Sequence, residues 1–130
     1  MMNNKIFYID DDENIRFIWS ETLQKIGFEV IACENGQIAL DRLSQCLQPP
    51  LLIISDLHMP IMSGIAFIRQ ASALPQLKSV PFILCSSDYR AESIGKQLGL
   101  AAVISKMPTG EVLAKVLSLT KNYAPSKYNR

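Results

Sequence analysis

The sequence predicts an α/β fold in which a five-stranded parallel sheet is doubly wound by helices. Three features predict it. Five short apolar, β-rich runs alternate with five stretches of helical periodicity. Each run is separated from the next by a connection long enough for a crossover helix, and such crossovers pair strands in parallel and put helices on both faces. The middle run, Leu51-Leu52-Ile53-Ile54, is apolar at four successive positions, the pattern of a strand buried on both faces. A chain of 130 residues supports one domain.

The first strand is Lys5-Ile6-Phe7-Tyr8-Ile9, which runs into Asp10-Asp11-Asp12. From Asn14 the period becomes helical. Ile15, Ile18, Trp19, Thr22, Leu23 and Ile26 share one face, with Arg16, Ser20, Glu21, Gln24 and Lys25 mostly opposite. The acidic run ahead of this helix offers N-cap oxygens and favourable first-turn charge, and Gly27 is a natural stop. Trp19 reads as packing. Phe28–Cys33 is a second strand, and Glu34-Asn35-Gly36 turns the chain into a helix over Gln37–Cys46 with Ile38, Ala39, Leu43 and Cys46 inward. Pro49-Pro50 delivers the central strand, which ends at Asp56. Met59-Pro60 then blocks direct continuation into a helix, because the residue before proline is pushed out of the helical region and proline has no N–H. Ser63-Gly64 opens the next helix, to Ala73, burying Ile65, Phe67 and Ile68.

Pro75 and Pro81 bracket a loop before a fourth strand, Phe82–Cys85, which ends in Ser86-Ser87-Asp88. The helix expected over Ala91–Leu98 has only Ile94 and Leu98 as strong apolar anchors and contains Gly95. Marginal helices are the natural movable parts of a domain. Ala101–Ser105 is the fifth strand, followed by Lys106, and a last helix over Thr109–Lys121 buries Val112, Leu113, Val116 and Leu117. The domain is expected to span residues 1–121, with the polar stretch 122–130 as a flexible tail or the start of a linker.

The net charge of +1 gives no electrostatic case for nucleic acid. The sign is uneven, however: residues 1–65 hold 4 Lys/Arg and 9 Asp/Glu, residues 66–130 hold 9 and 3. The acid excess gathers in Asp10-Asp11-Asp12-Glu13, of which Asp12 and Glu13 read as capping and surface charge. Cys33, Cys46 and Cys85 are odd in number with no metal-ligand spacing. They suit buried thiols in a reducing compartment. No apolar run approaches ~18 residues and the N-terminus has no signal-peptide pattern. The chain is expected to be soluble and cytoplasmic, with no membrane contact.

The carboxyl ends of the strands in such a sheet share one edge, where open α/β sheets bind ligands. Here those ends carry Asp10-Asp11, Asp56, Ser86 and Lys106, a set drawn independently from four strands. Two carboxylates ~4 Å apart repel by about 4 kcal/mol at an effective dielectric of about 20, so three need a cation. Hard oxygen ligands in a crevice favour Mg²⁺, and Lys106 adds a mobile positive point charge. With the pocket neutralised, Asp56 becomes a nucleophile towards a phosphoryl group, as aspartyl-phosphate chemistry requires. Ser86 can hydrogen-bond that group only when it is present, which gives the fourth strand and the helix after it a reason to shift.

From Lys5 to about Leu119 the chain resembles a response-regulator receiver domain of two-component signalling. The resemblance is carried by Ile9-Asp10-Asp11, by Ile54-Ser55-Asp56 with Met59-Pro60-Ile61-Met62-Ser63-Gly64, by Ser86 after a buried strand and by Lys106 after another. It implies a flavodoxin-like fold with strand order 2-1-3-4-5. It implies that Asp56 is the phosphoacceptor, that Asp11 and Asp56 ligate Mg²⁺ with the backbone carbonyl of His58, and that Asp10 acts through a metal-bound water. Ser86 would be the switch hydroxyl, beside Ser87, and Lys106 would bind the phosphoryl oxygen. The donor would be a phosphohistidine on a sensor histidine kinase or a histidine phosphotransfer protein. The output would be altered binding of a downstream protein, and homodimers are a habit of the family. Such a domain is no enzyme beyond promoting its own phosphotransfer and slow aspartyl-phosphate hydrolysis.

The chain departs from the family pattern in four places. Ser63 stands where Asp is common, and Ser caps as well. Ser87 is slightly larger than the usual small residue. The usual Lys-Pro pair is Lys106-Met107-Pro108 here. Val103 occupies the place of a rotating aromatic, so any signal must use the Ser86 loop and backbone shifts. His58, the only histidine, reads as a loop residue contributing its carbonyl. With Asp88 it flanks the pocket, and both are expected to tune hydrolysis of the phosphoryl group. Tyr89, beside the switch loop, is a candidate partner contact. Two other functions compete: an adaptor whose binding ignores phosphate, and a phosphohydrolase of the haloacid-dehalogenase type. The latter wants a second acid two residues after the nucleophile, where this chain has His58.

Overall fold

A computed structural model of the protein describes residues 3–120. Five parallel strands form one sheet in the order β2-β1-β3-β4-β5, the order the resemblance implied. The strands are β1 Lys5–Ile9, β2 Glu29–Cys33, β3 Leu52–Asp56, β4 Phe82–Cys85 and β5 Ala102–Ile104; the helices are α1 Glu13–Ile26, α2 Gly36–Ser44, α3 Gly64–Ser72, α4 Ala91–Leu98 and α5 Gly110–Ser118. A turn of 3-10 helix, Pro75–Leu77, sits in the loop between the two prolines. The stretch expected as a tail, 122–130, lies outside the described residues.

Side chains alternate across a strand, and the sheet therefore has two cores. Phe7 and Ile9 of β1, Ile53 of β3 and Leu84 of β4 face Ala39 and Leu43 of α2 and Phe67, Ile68 and Ala71 of α3. Ile6 and Tyr8, Leu52 and Ile54, and Ile83 and Cys85 face the other way, onto Trp19, Leu23 and Ile26 of α1 and Val116 of α5. Every residue of β3 is buried, which is why its sequence shows a continuous apolar run and no alternation. Each large apolar side chain so covered contributes about 1.5–3 kcal/mol relative to exposure.

Helix ends follow local chemistry. Asp12 caps α1 through Asn14 and Ile15 N–H, and Gly27 closes it at φ 116°. Asn35, Ser63 and Thr109 cap α2, α3 and α5. The apolar stripe of α1 is narrower than its sequence suggested. Trp19, Leu23 and Ile26, spaced i, i+4, i+7, fill the contact, while Ile18 is 36% and Phe17 65% exposed at its rim. Helix α2 ends at Ser44, two residues before Cys46, with Gln45 as its cap. Helix α4 has no side-chain cap at Arg90, and Ile94 and Leu98 are only half-buried.

The loop from β3 to α3 is tightly folded. Gly64 N–H donates to the Leu57 carbonyl at 2.8 Å, and a Cβ on Gly64 would fall on the Asp56 carbonyl oxygen. Glycine is required there by close approach to the strand end. Ile61 has φ 72° and is 80% exposed. A β-branched residue in the left-handed region costs roughly 1–2 kcal/mol, and no packing offsets it. Ile61→Asn is expected to stabilise the protein by about 1 kcal/mol, seen as a higher urea midpoint at unchanged slope; an unchanged or lower midpoint would contradict the strain.

Candidate functional site

The register sets the site. Ile9 pairs with Ser55 and Asp56 with Cys85, which in turn pairs with Ile104. Asp10, Asp56, Ser86 and Lys106 thus emerge at one level of the carboxyl edge. Asp10 is fully buried, Asp56 6% exposed and Ser86 9% exposed. Asp11 and Ser87 are exposed, and Lys106 is half-buried.

Asp10 and Asp56 share one cation. The Lys106 ammonium lies 2.7 Å from Asp10 Oδ2 and 2.9 Å from Asp56 Oδ1. Asp10 Oδ1 also accepts the Asp12 N–H at 2.9 Å and Oδ2 the Tyr8 hydroxyl at 3.3 Å. Asp56 Oδ1 accepts the Leu57 N–H at 2.7 Å. Burial raises the Asp56 carboxyl above its ordinary range. The Lys106 hydrogen bond opposes this, the Asp10 charge adds to it, and the net is upward. Burial works against the Lys106 charge too, yet its hydrogen bonds to Asp10 and Asp56 hold the amine above the usual lysine value. Asp11 completes an acidic group: one oxygen each of Asp10, Asp11 and Asp56 lie within 4.8 Å of one another. Three hard oxygen donors that close suit a divalent cation such as Mg²⁺.

A second polar cluster closes the pocket's rim. Ser86 N–H donates to the Ile104 carbonyl at 3.0 Å, and its hydroxyl accepts the Asp88 N–H at 3.0 Å, keeping its own proton for another acceptor. The Asp88 carboxylate takes the Arg90 guanidinium at 2.8 and 3.1 Å and the Arg90 N–H at 2.8 Å. Together with His58 Nε2 at 2.8 Å, these contacts hold the Asp88 carboxyl well below the usual range. Asp88 thus holds the turn ahead of α4 and ties the His58 loop to the Ser86 loop.

Every residue singled out from the sequence as phosphoacceptor, metal or phosphoryl ligand lies at this edge. Three others were missed. Arg16 donates to the Asp10 carbonyl at 2.8 Å. Tyr8 and Trp19 stack at 5.3 Å and 18°, one touching Asp10 and the other, through Nε1, the Lys106 carbonyl at 2.7 Å. The available signal was chemical: a buried tyrosine or tryptophan needs a polar partner, and strand ends supply one. A cavity of about 600 Å³ lies at the opposite edge by Pro49, Pro75 and Thr120 and takes no part in this site.

Comparison with known proteins agrees with this geometry. Residues 6–118 match the family model of the response regulator receiver domain. The chain is 27% identical over 129 residues to sporulation initiation phosphotransferase F of Bacillus subtilis, covering 99% of this chain and all of that one. It is 30% identical over 105 residues to a probable chemotaxis protein CheY of Rhizobium etli, covering 78% and 80%. Among solved structures, the chemotaxis response regulator CheY4 of Vibrio cholerae superposes with a TM-score of 0.80 at 30% identity, over 92% of this chain and 99% of that one. The response regulator TrrA of Thermotoga maritima, in complex with Mg(2+)-BeF, gives 0.78 at 28%, over 91% and 99%. With the acids, the hydroxyl and the lysine gathered on the carboxyl edge of a 2-1-3-4-5 sheet, the chain belongs to the response regulator receiver family and has the phosphoacceptor role of that family in two-component signalling.

Proposed function

We propose that Asp56 is the phosphoacceptor, taking its phosphoryl group from a phosphohistidine on a sensor histidine kinase or histidine phosphotransfer protein. The Lys106 ammonium lying between Asp10 and Asp56 carries this reading. In the transfer the donor P–N bond breaks, its electron pair leaves on the imidazole nitrogen, and a bond forms from an Asp56 carboxylate oxygen to phosphorus. Lys106 exchanges a carboxylate for a phosphoryl oxygen, and the Ser86 hydroxyl donates its free proton to another, with Ser87 at the mouth.

Asp11, Asp56 and the His58 carbonyl would hold Mg²⁺, with Asp10 acting through a water. The ion would offset negative charge on the phosphoryl oxygens. The complex of TrrA with Mg(2+)-BeF supports the same requirement here.

Slow hydrolysis of its own aspartyl phosphate is the only other reaction we assign. His58 and Asp88, joined across the rim, limit access of water. The output is binding of a downstream protein, through movement of the Ser86 loop and α4; direct binding of nucleic acid or membrane is not part of it, and pairing with a second copy fits the same face. Residues 1–121 form the receiver unit. Free Cys33, Cys46 and Cys85 suit the cytoplasm. No helix among the described residues is long and apolar enough to cross a membrane.

Incubation with phosphoramidate and Mg²⁺ should add one phosphoryl group by mass, absent from Asp56→Asn and in EDTA. An unlabelled protein that binds its partner equally well without Asp56 would instead be a phosphate-independent adaptor. Removing the rim clip, in His58→Ala or Asp88→Ala, should speed decay of the labelled protein several-fold, followed by loss of the added mass; an unchanged decay removes both residues from this role. A stability prediction follows from the raised Asp56 carboxyl. The native state binds this proton more readily than the unfolded chain, so stability falls as pH climbs through the folded value. In metal-free buffer Asp56→Asn should melt higher than the wild type at neutral pH. The gain should vanish as pH falls to the unfolded carboxyl value of about 3.9.

A further inference from the structure

We propose that Trp19 is a positioning residue for Lys106, its indole N–H fixing the backbone from which the ammonium reaches the site. The inference rests on the reading of Lys106 as the phosphoryl-binding cation.

Lys106 lies two residues beyond the end of β5, outside the sheet ladder. Its charge sits on a flexible four-carbon stem and can be aimed only as well as its backbone is held. The neighbouring carbonyls have near or sheet partners: Ser105 accepts from the Cys85 thiol at 3.4 Å, and Met107 from the Thr109 N–H at 2.9 Å. The Lys106 carbonyl instead accepts from Trp19 Nε1 at 2.7 Å, 87 residues away in the chain.

Trp19 is itself fixed. It is fully buried in α1 and stacked on Tyr8. The Tyr8 hydroxyl donates to Asp10 Oδ2, the oxygen that also takes the Lys106 ammonium. A closed circuit results: Lys106 carbonyl, Trp19, Tyr8, Asp10, Lys106 amine. Both ends of one lysine are anchored to the same aromatic pair.

The sequence of the loop makes this anchor necessary. A proline restricts the residue before it. In Lys106-Met107-Pro108 that restriction falls on Met107 and leaves Lys106 free. The hydrogen bond from α1 supplies the missing restraint from outside the loop. When Lys106 leaves Asp10 for a phosphoryl oxygen, the carbonyl anchor is what remains to aim it. A misplacement near 1 Å at such a group can cost on the order of 100-fold in rate.

Trp19 is the only tryptophan, so the protein can be produced with every tryptophan replaced by an analogue. The analogue 3-benzothienylalanine keeps the bicyclic shape and stacking but has sulfur in place of the N–H; 5-fluorotryptophan keeps the N–H. With phosphoramidate as donor, the benzothienyl protein should label at a maximal rate about tenfold lower, with the half-saturating Mg²⁺ concentration unchanged. The fluorotryptophan protein should label as the wild type does. Competitive reductive methylation, read by mass spectrometry, should modify Lys106 several-fold faster in the benzothienyl protein alone. This readout needs no phosphorylation, so it decides the proposal even if no form labels, an outcome that would remove the phosphoacceptor reading separately. An unchanged maximal rate, unchanged Lys106 reactivity, or an equal loss in the fluorotryptophan protein would overturn the role of the N–H.

Discussion

One ammonium between two buried carboxylates is the constraint on which this structure turns. Asp10 is wholly enclosed and Asp56 nearly so, and burying a carboxylate without a partner is expensive. Lys106 meets both at hydrogen-bond distance. The three residues come from β1, β3 and β5, so the ion pairs can form only when the whole sheet is in register. A slip of one residue in β1 would turn Tyr8 and Asp10 to opposite surroundings and leave Lys106 with a single acid. The site therefore depends on the sheet, and the register of the sheet is checked in turn by the site.

Around that rigid centre the loops differ in how firmly they are held. The β3–α3 loop is packed so closely that Gly64 admits no side chain against the Asp56 carbonyl. That fixes the backbone that carries Asp56. The β4–α4 loop is held mainly by polar contacts at the surface, with Asp88 joining Ser86, His58 and Arg90. Exposed ion pairs contribute little, and beyond the buried Ala91 and Gly95 the large anchors of α4, Ile94 and Leu98, are only half-buried. If the site works as proposed, holding one acid still and letting one hydroxyl move, its firmest loop and its loosest lie on the matching sides.

The sequence showed the fold wherever a single physical signal dominated. Continuous apolar runs marked β3 and β4, Gly27 and Asp12 bounded α1, and the acids, Ser86 and Lys106 were found by asking what stands at each strand end. Errors came where two demands competed. Ile18 fits the helical period of α1, but Trp19, Leu23 and Ile26 already fill the contact. The Asp88 clip was half legible: both residues were placed at the rim, but their bond and the part of Arg90 depend on loop conformation. Ile61 gave no sign of its left-handed backbone, since nothing in a β-branched residue favours it. Tyr8 and Trp19 looked like core and are core. Their polar atoms have a second role that composition and spacing do not reveal.

The remaining question is how the site responds to charge. Asp10, Asp11 and Asp56 carry three formal negative charges against the one positive charge of Lys106. The resting pocket is short of positive charge, which is what makes a divalent cation welcome. A phosphoryl group on Asp56, as proposed, would replace one charge with about two and would place them farther from Asp10, out towards Ser86 and the rim. The attraction on Lys106 then shifts outward in the same direction as the hydrogen bond offered by Ser86. Because Lys106 holds β5 to Asp10 and Ser86 holds β4 to the Ile104 carbonyl of β5, both pulls act on the same pair of strands. The β5 edge, where Ala102 and Val103 are only half-buried, would take up the displacement, since β1, β3 and β4 are packed on both faces. A switch at this edge would need no swinging aromatic at Val103, for the charge itself would move towards the less covered β5 edge.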